Sequence, residues 1–411
     1  MAATPFAKAD HSHHPTQGSF APIPFGGFGG FAPEAPLGRG GGKKDVVGWP
    51  LACVVRSGHK GRVVVAMSGG VDSSVAAALL VEAGYETIGI SLKLWSQDTP
   101  EFPGYHPICC SAEAVDDARR VCRILGIPFY YLNFERHFCS QVVDYFCEEY
   151  SRGRTPNPCL ACNEKVKFRL LLDKALALGA EYLATGHYAR IEEWQGHFHL
   201  LKALDRTKDQ SYVLYFLGQR QLQHLLFPIG PYRKAEVRRM AAELGLPVAG
   251  KAESQAICFI PDGDYRKFLA QRFPATPGDI VDTQGTVLGQ HRGLAGYTVG
   301  QRRGLGIALG ERLYVLSLDP AANKVVAGPD EQLLSHSLVA EKVTFVSGEA
   351  PEGPIPIQAK LRYRSPETES VLLSLDGRWQ VRFQKPQRAI TPGQAVVFYQ
   401  GDEVLGGGII A

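Results

Sequence analysis

Three short stretches of this sequence combine residue types and spacings that can do chemistry. The first is Ser68-Gly69-Gly70-Val71-Asp72-Ser73-Ser74. Its paired glycines let backbone N–H groups approach an anion closely, its serines add hydroxyl donors, and Asp72 is suited to orienting the loop or a magnesium ion. The second is Thr155-Pro156-Asn157-Pro158-Cys159-Leu160-Ala161-Cys162-Asn163, a Cys-x-x-Cys pair on a Pro-rich loop just before a helix. Thiols near a helix N-terminus have depressed pKa values, so more of the reactive thiolate is present. The third, Glu253-Ser254-Gln255-Ala256-Ile257-Cys258-Phe259-Ile260, sets one cysteine in a polar, turn-like stretch ahead of an apolar pair. Neither cysteine element is decisive alone, since a Cys-x-x-Cys is often half of a zinc site and a lone cysteine usually packs in a core.

Secondary structure has to position these stretches. Val63-Val64-Val65-Ala66-Met67 predicts a buried parallel strand entering the glycine-rich loop, and Val71 to Ala83 predicts the helix leaving it, closed by Gly84. Strand-like segments follow at Thr87 to Leu94, Phe129 to Phe134 and Tyr182 to Ala184. They alternate with helical segments at Ala112 to Leu125, closed by Gly126, and Val166 to Leu178, closed by Gly179. Such alternation predicts an α/β fold with a doubly wound parallel sheet, in which ligands bind at the carboxyl ends of the strands. Beyond roughly Asp279 the segments shorten and alternate polar with apolar: Ile280 to Asp282, Leu313 to Leu316, Leu338 to Val346, Val371 to Leu375 and Val396 to Tyr399. This texture predicts antiparallel β structure, a small barrel. The expected organisation is a Gly/Pro-rich tail over 1–58, a catalytic domain over 59–224, a mixed central domain over 225–335 and a C-terminal β-barrel over 336–411.

Bulk properties exclude some classes. At 411 residues the chain is too long for one ordinary core. No apolar run approaches the roughly 18–20 residues that span a bilayer, and the first residues lack the apolar core of a secretory signal. Nine cysteines, an odd number in a long chain, point to a reducing compartment and hence to the cytoplasm. The formal charge of +3 identifies no partner by itself. Its distribution says more: Lys360, Arg362, Arg364, Arg378, Arg382, Lys385 and Arg388 face only Glu367, Glu369 and Asp376 in the same stretch. A solvated face and a phosphate-binding face both fit such a cluster. Phe20 to Gly42 is dominated by Gly, Pro, Phe and Ala and offers no periodic apolar face, so the tail is expected to be disordered. His11, His13 and His14 read as an incidental polar tract. Cys122, Cys139 and Cys147 fall in apolar helical patterns and are expected in the core, and Cys109 and Cys110 are expected to be structural. Cys53 carries no assignment.

The glycine-rich loop lacks the Gly-Lys-Ser/Thr of a Walker A motif and resembles the PP-loop of the ATP pyrophosphatases. That resemblance implies cleavage of ATP between its α- and β-phosphates and activation of an acceptor oxygen by adenylylation. Synthetases acting on a small carboxylate share such a loop and would need no cysteine pair. A non-catalytic sulfur or metal carrier would have no use for the loop.

The motifs together resemble the bacterial and organellar tRNA-specific 2-thiouridylase family. Besides the three stretches above, Ala184-Thr185-Gly186-His187-Tyr188, Lys208-Asp209-Gln210-Ser211-Tyr212, Thr391-Pro392-Gly393-Gln394 and Gly406-Gly407-Gly408-Ile409-Ile410 carry the likeness, which runs from Val63 to Ile410. It implies an ATP site, with Mg2+, formed by Ala66, Met67, Ser68, Gly69, Gly70, Val71, Asp72, Ser73, Leu92 and Gly186. It implies that Cys258 carries sulfur as a persulfide and that Cys162 attacks or reduces it. Asn157, Pro158 and Cys159 would face the flipped wobble uridine with His187 beside them, and Lys208, Asp209, Gln210, Arg362, Tyr363 and Gln394 would contact the tRNA. The substrates implied are tRNAs for Lys, Glu and Gln, with sulfur from a cysteine desulfurase or a sulfur carrier protein. One departure stands out: many family members have Asp where this chain has Cys159. Cys159, Cys162 and Cys258 could instead hold three irons of a [4Fe–4S] cluster. A persulfide relay and a cluster therefore remain two open routes for the sulfur.

Overall fold

The computed structural model describes residues 60–95, 111–252, 257–260, 263–307, 310, 312–375 and 377–411. The 1–58 tail with its histidines and Cys53, the Cys109–Cys110 pair, and Glu253 to Ala256 lie outside the described residues.

The apolar run at the start of the ordered chain forms β1 (Arg62–Ala66), with Val63, Val64 and Val65 fully buried. Burying each such side chain contributes about 1.5–3 kcal/mol. The glycine-rich loop then leads into α1 (Val71–Glu82), and β2 (Glu86–Lys93) follows. Helix α2 (Ala112–Leu125) starts where the Ser111 side chain accepts from the Ala114 N–H at 3.2 Å. It ends at Gly126 in the left-handed conformation, as the sequence predicts. Its buried stripe of Ala114, Val115, Ala118, Val121 and Cys122 lies on one face at helical spacing. Strands β3 (Phe129–Asn133), β4 (Tyr182–Ala184) and, after the hairpin β5 (Ala189–Trp194) and β6 (His197–Lys202), β7 (Leu225–Leu226) complete the order. The sheet runs β3-β2-β1-β4-β7 with every pairing parallel. The strand order reverses direction at β1, so a ligand crevice opens between the carboxyl ends of β1 and β4.

The Cys-x-x-Cys lies inside a helix rather than before one. Asn157 is the N-cap, its Oδ1 accepting from the N–H groups of Cys159 and Leu160 at 3.1 and 3.3 Å, and Pro158 occupies the first turn. The helix runs on from Pro158–Ala161 and widens to π-type bonding over Cys162–Leu171 before Leu172–Ala177.

The central region forms its own sheet from β8 (Gly278–Val281), β9 (Val287–His291), β10 (Tyr314–Asp319) and β11 (Lys324–Gly328), ordered β10-β11-β8-β9. Ile280 and Leu313 to Leu316 thus belong to this sheet or its edge and not to the barrel. The β8–β11 pair is parallel, so the antiparallel expectation fails there.

The barrel comprises β12 (Leu334–Phe345), β13 (Ile355–Lys360), β14 (Thr368–Leu375), β15 (Arg378–Arg388), β16 (Ala395–Gln400) and β17 (Glu403–Ile410). An extra antiparallel pairing of β12 with β17 closes six strands into a ring, and the β5–β6 hairpin is added to β17 from outside. Gly407 makes this junction possible. A Cβ there would lie 2.7 Å from the Tyr215 ring and 2.7 Å from the Val396 carbonyl. The joint is also polar: Lys202 Nζ meets Glu367 Oε2 and the Gly401 carbonyl, each at 2.7 Å. Tyr212 OH donates to the Ala395 carbonyl at 2.8 Å.

Candidate active site

Both loops of the crevice are set by close packing. Gly69 takes a φ of +69°, and a Cβ on it would sit 2.0 Å from the Ala114 carbonyl oxygen, so only glycine lets α2 approach this loop. From the β4 side, a Cβ on Gly186 would lie 2.6 Å from the Ser73 nitrogen. The two sides of the crevice therefore touch at backbone level. Met67 is held by its N–H on the Ile90 carbonyl at 2.8 Å and by Ser91 Oγ on its own carbonyl at 2.7 Å, which fixes the end of β1. Ala66 is the last residue of β1, and Leu92 lies on β2 beside the same core.

Helix α1 begins at Gly70 with no side-chain capping bond, so its first-turn N–H groups face the crevice uncapped. Ser68 and Ser73 are linked by their hydroxyls at 3.2 Å, and Ser74 Oγ donates to the Gly70 carbonyl at 2.8 Å. Such an entrance carries the positive end of the helix dipole and suits a phosphate chain. Two lysines with no obvious motif complete it. Lys234, first residue of the helix Lys234–Glu243, places Nζ 2.7 Å from both Asp72 oxygens. Tyr188 OH donates to the same Asp72 at 2.9 Å. Lys251 Nζ donates to the Gly69 carbonyl at 3.1 Å and pairs with Asp117 at 2.6 Å. Asp72 is therefore held against Lys234 and Tyr188 at the head of α1 and orients the loop. The uncapped helix entrance does fit a triphosphate.

The thiols lie in a separate apolar cluster, against which Leu92 of β2 also packs. Cys162 is 7% exposed and belongs to an apolar cluster with Phe138, Phe146, Val166, Phe259 and Ile260, against which Cys258 packs partly buried. The two cysteines read as catalytic thus share one environment, although they are far apart in sequence. Cys159 is exposed on the same helix. Among the described residues no group of three or more His, Cys, Asp or Glu side chains is arranged to hold a metal ion, and these three cysteines are no exception. Cys122 and Cys147 are buried, and burial pushes their thiols up to about 12 and about 11, which makes them inert core residues as expected. Cys139 is half-buried against the same cluster as Cys162.

Several residues expected at the tRNA also make internal contacts. His187 is buried between the Phe168 and Phe227 rings, at centroid distances of 5.5 and 6.0 Å, and its Nδ1 meets Thr185 Oγ1 at 2.7 Å. Burial, with a contribution from Lys167, holds its pKa well below the ordinary value, which keeps the ring neutral. Asp209 is buried and accepts from Ala203 N, Ser211 N and Ser211 Oγ, at 2.9, 3.3 and 2.7 Å. Gln210 is zipped to Tyr188 through its side chain at 2.9 Å and its N–H at 2.8 Å. Lys208, half-buried, precedes this brace, and Arg362 and Tyr363 stay exposed on the barrel. Gln394 Nε2 donates to the Thr155 carbonyl.

A doubly wound parallel sheet with an uncapped, glycine-rich helix entrance at its switch point defines the PP-loop class of ATP-using enzymes. Comparison with known proteins narrows that class. Residues 61–262 match the tRNA methyl transferase HUP domain, 266–329 the tRNA methyl transferase PRC-barrel domain, and 335–410 the aminomethyltransferase beta-barrel domain. The chain is 55% identical over 353 residues to the tRNA-specific 2-thiouridylase MnmA of Moorella thermoacetica, covering 84% of this chain and 98% of that protein. It is 52% identical over 356 residues to the protein of the same name from Pelotomaculum thermopropionicum, covering 86% and 98%. A solved structure of the U34-tRNA thiolase NcsA from Methanococcus maripaludis with its [4Fe-4S] cluster is more distant. It shows 19% identity, 53% and 68% coverage and a TM-score of 0.33, a match too loose to bear on chemistry. This chain belongs to the tRNA-specific 2-thiouridylase family.

Proposed function

We propose that the protein is an ATP-dependent tRNA 2-thiouridylase that converts the wobble uridine to 2-thiouridine. The observation that carries this reading is the apolar cluster that Cys162 and Cys258 share, against which Leu92 of the expected nucleotide site also packs. A small-carboxylate synthetase has no use for that pair. The family models carry methyl transfer in their descriptions, but paired thiols suit sulfur chemistry, which needs a nucleophile on each side of one S–S bond.

The uracil O2 would attack the ATP α-phosphorus, releasing pyrophosphate and leaving an adenylyl ester at C2. The phosphate chain would lie on the α1 entrance between Lys234 and Lys251, with Mg2+ brought by the nucleotide. The terminal sulfur of a Cys258 persulfide would then attack C2 and expel AMP. The Cys162 thiolate would attack Cys258 Sγ, freeing 2-thiouridine and leaving a Cys162–Cys258 disulfide for an external thiol to reduce. A cysteine desulfurase or a sulfur carrier would reload Cys258, and the acceptors would be tRNAs for Lys, Glu and Gln. No helix among the described residues is long and apolar enough to cross a membrane.

The test uses Cys162→Ser and Cys258→Ser with tRNA and ATP. Pyrophosphate release should persist in both variants while 2-thiouridine disappears. Full thiolation by either variant would sink the relay. The cluster route on Cys159, Cys162 and Cys258 is separated by iron and acid-labile sulfide analysis after anaerobic purification. About four irons per chain, lost in Cys159→Ala, would replace the relay with a [4Fe–4S] mechanism.

A further inference from the structure

Cys159 and Cys162 stand one turn apart in a continuous helix, the first exposed and the second 7% exposed. Asn157 caps that helix and accepts from the Cys159 N–H at 3.1 Å, and Pro158 fills its first turn, so the pair sits on a fixed helix start. Residues at this spacing share a helix face, and every Cα–Cβ bond tilts toward the N-terminus, which leans Cys162 over the turn that holds Cys159. Such residues have Cβ atoms about 5–6 Å apart, roughly 1–2 Å more than a disulfide needs, and a small shift of the first turn closes that gap. Cys258 packs half-buried on the apolar cluster of Cys162, Phe138, Phe146 and Phe259. Of the three thiols it is thus Cys159 that meets solvent fully.

The relay described above leaves a Cys162–Cys258 disulfide after each transfer, and the present inference rests on that reading. Exchange requires a thiolate to reach one of the two sulfurs, and both lie against the apolar cluster, where an external thiol has poor access. Until that bond opens, Cys258 cannot be reloaded. We propose that Cys159 is the resolving thiol of the cycle. Its thiolate attacks Cys162 Sγ, the Cys162–Cys258 bond breaks, and Cys258 leaves as a thiolate that takes up the proton Cys159 gave to solvent. The disulfide now joins Cys159 and Cys162, and Cys258 is ready for its next sulfur. An external dithiol protein then attacks the exposed Cys159 Sγ and expels the Cys162 thiolate. That dithiol is oxidised to a disulfide, and its electrons and protons return Cys159 and Cys162 to thiols.

The test preloads Cys258 of the full chain with cysteine persulfide and adds ATP and an anticodon stem-loop RNA without reductant. The reaction is quenched with N-ethylmaleimide after one turnover and digested with trypsin. Cys159 and Cys162 share the peptide 155–165, and Cys258 lies in 252–266. Wild type should return 155–165 unalkylated and two hydrogens lighter than its dithiol form, with Cys258 alkylated. In Cys159→Ser the two peptides should instead be joined by a disulfide. With excess cysteine persulfide and a thioredoxin-type dithiol, the rate of later turnovers relative to the first should fall about tenfold in this variant. A structural role for Cys159 would slow first and later turnovers alike and would move no bond. Joined peptides in wild type would overturn the proposal, as would a linkage through Cys139, the other thiol packed on the cluster. An unchanged turnover ratio in Cys159→Ser would do the same. Thiolation that survives Cys162→Ser or Cys258→Ser marks the failure of the relay itself, and the resolving step falls with it.

Discussion

Gln394 Nε2 donates to the Thr155 carbonyl at 2.7 Å across 239 positions of sequence. Around that bond the Thr155 N–H donates to the Pro392 carbonyl at 2.8 Å and Arg154 Nη2 donates to the Ile410 carbonyl at 3.1 Å. The loop that delivers Asn157 to the cysteine helix is therefore built by two domains together. The barrel therefore helps to fix where the cysteine helix begins.

Gln394→Ala should accordingly act on the chemical step. Losing one partly buried hydrogen bond costs on the order of 1 kcal/mol, so single-turnover thiolation should slow about five- to tenfold. Single-turnover rates at saturating tRNA, with tRNA affinity measured separately, decide the matter. A pure loss of affinity with an unchanged rate would make Gln394 an RNA contact instead.

The Asp72–Lys234 pair should behave as a coupled unit. Lys234→Met strands a partly buried carboxylate beside Tyr188 and should destabilise the fold by about 2 kcal/mol. Adding Asp72→Asn should restore part of that loss. Urea unfolding of the two single variants and the double variant gives the coupling energy, and strictly additive losses would contradict the pairing. Both single variants should also weaken ATP binding, because the α1 entrance is then no longer held in place.

His187 sets a pH dependence of stability. Its folded pKa lies well below the usual value because the ring is buried, whereas the unfolded chain takes up a proton near pH 6.5. The stability contributed by the neutral ring is therefore complete above about pH 6.5 and is lost as pH falls from there toward the folded value. The slope can reach about 1.4 kcal/mol per pH unit. Thermal unfolding from pH 7.5 to 5.5 should be flatter in His187→Gln, and an unchanged slope would show that the acid sensitivity lies elsewhere.

Local signals made the catalytic half readable. The Val63 to Ala66 run, the glycine-rich loop, and α2 with its serine start and glycine stop all have their causes within a few residues. The helix start at Pro158 was equally available, since Asn at the cap and Pro in the first turn is a start signal, but the two prolines suggest a loop. Lys234 and Lys251 were not readable, because Asp72 and Gly69 lie 162 and 182 positions away and no spacing rule connects them. A motif tells which residues a family keeps, while the fold decides whether a residue touches the substrate or braces what does. The β5–β6 hairpin shows its turn locally, with Gln195 and Gly196 at positive φ, yet its attachment to β17 depends on a strand two hundred residues later.

The strand that closes the barrel, β17, also holds the segment that leads to the cysteine helix, through the Arg154 bond to the Ile410 carbonyl. Without that strand Arg154 has no carbonyl to hold and β12 loses the pairing along one edge. The glycine-rich loop and the lysines that brace it draw on neither contact. Opening the barrel is thus a change that reaches the thiols before it reaches the nucleotide crevice.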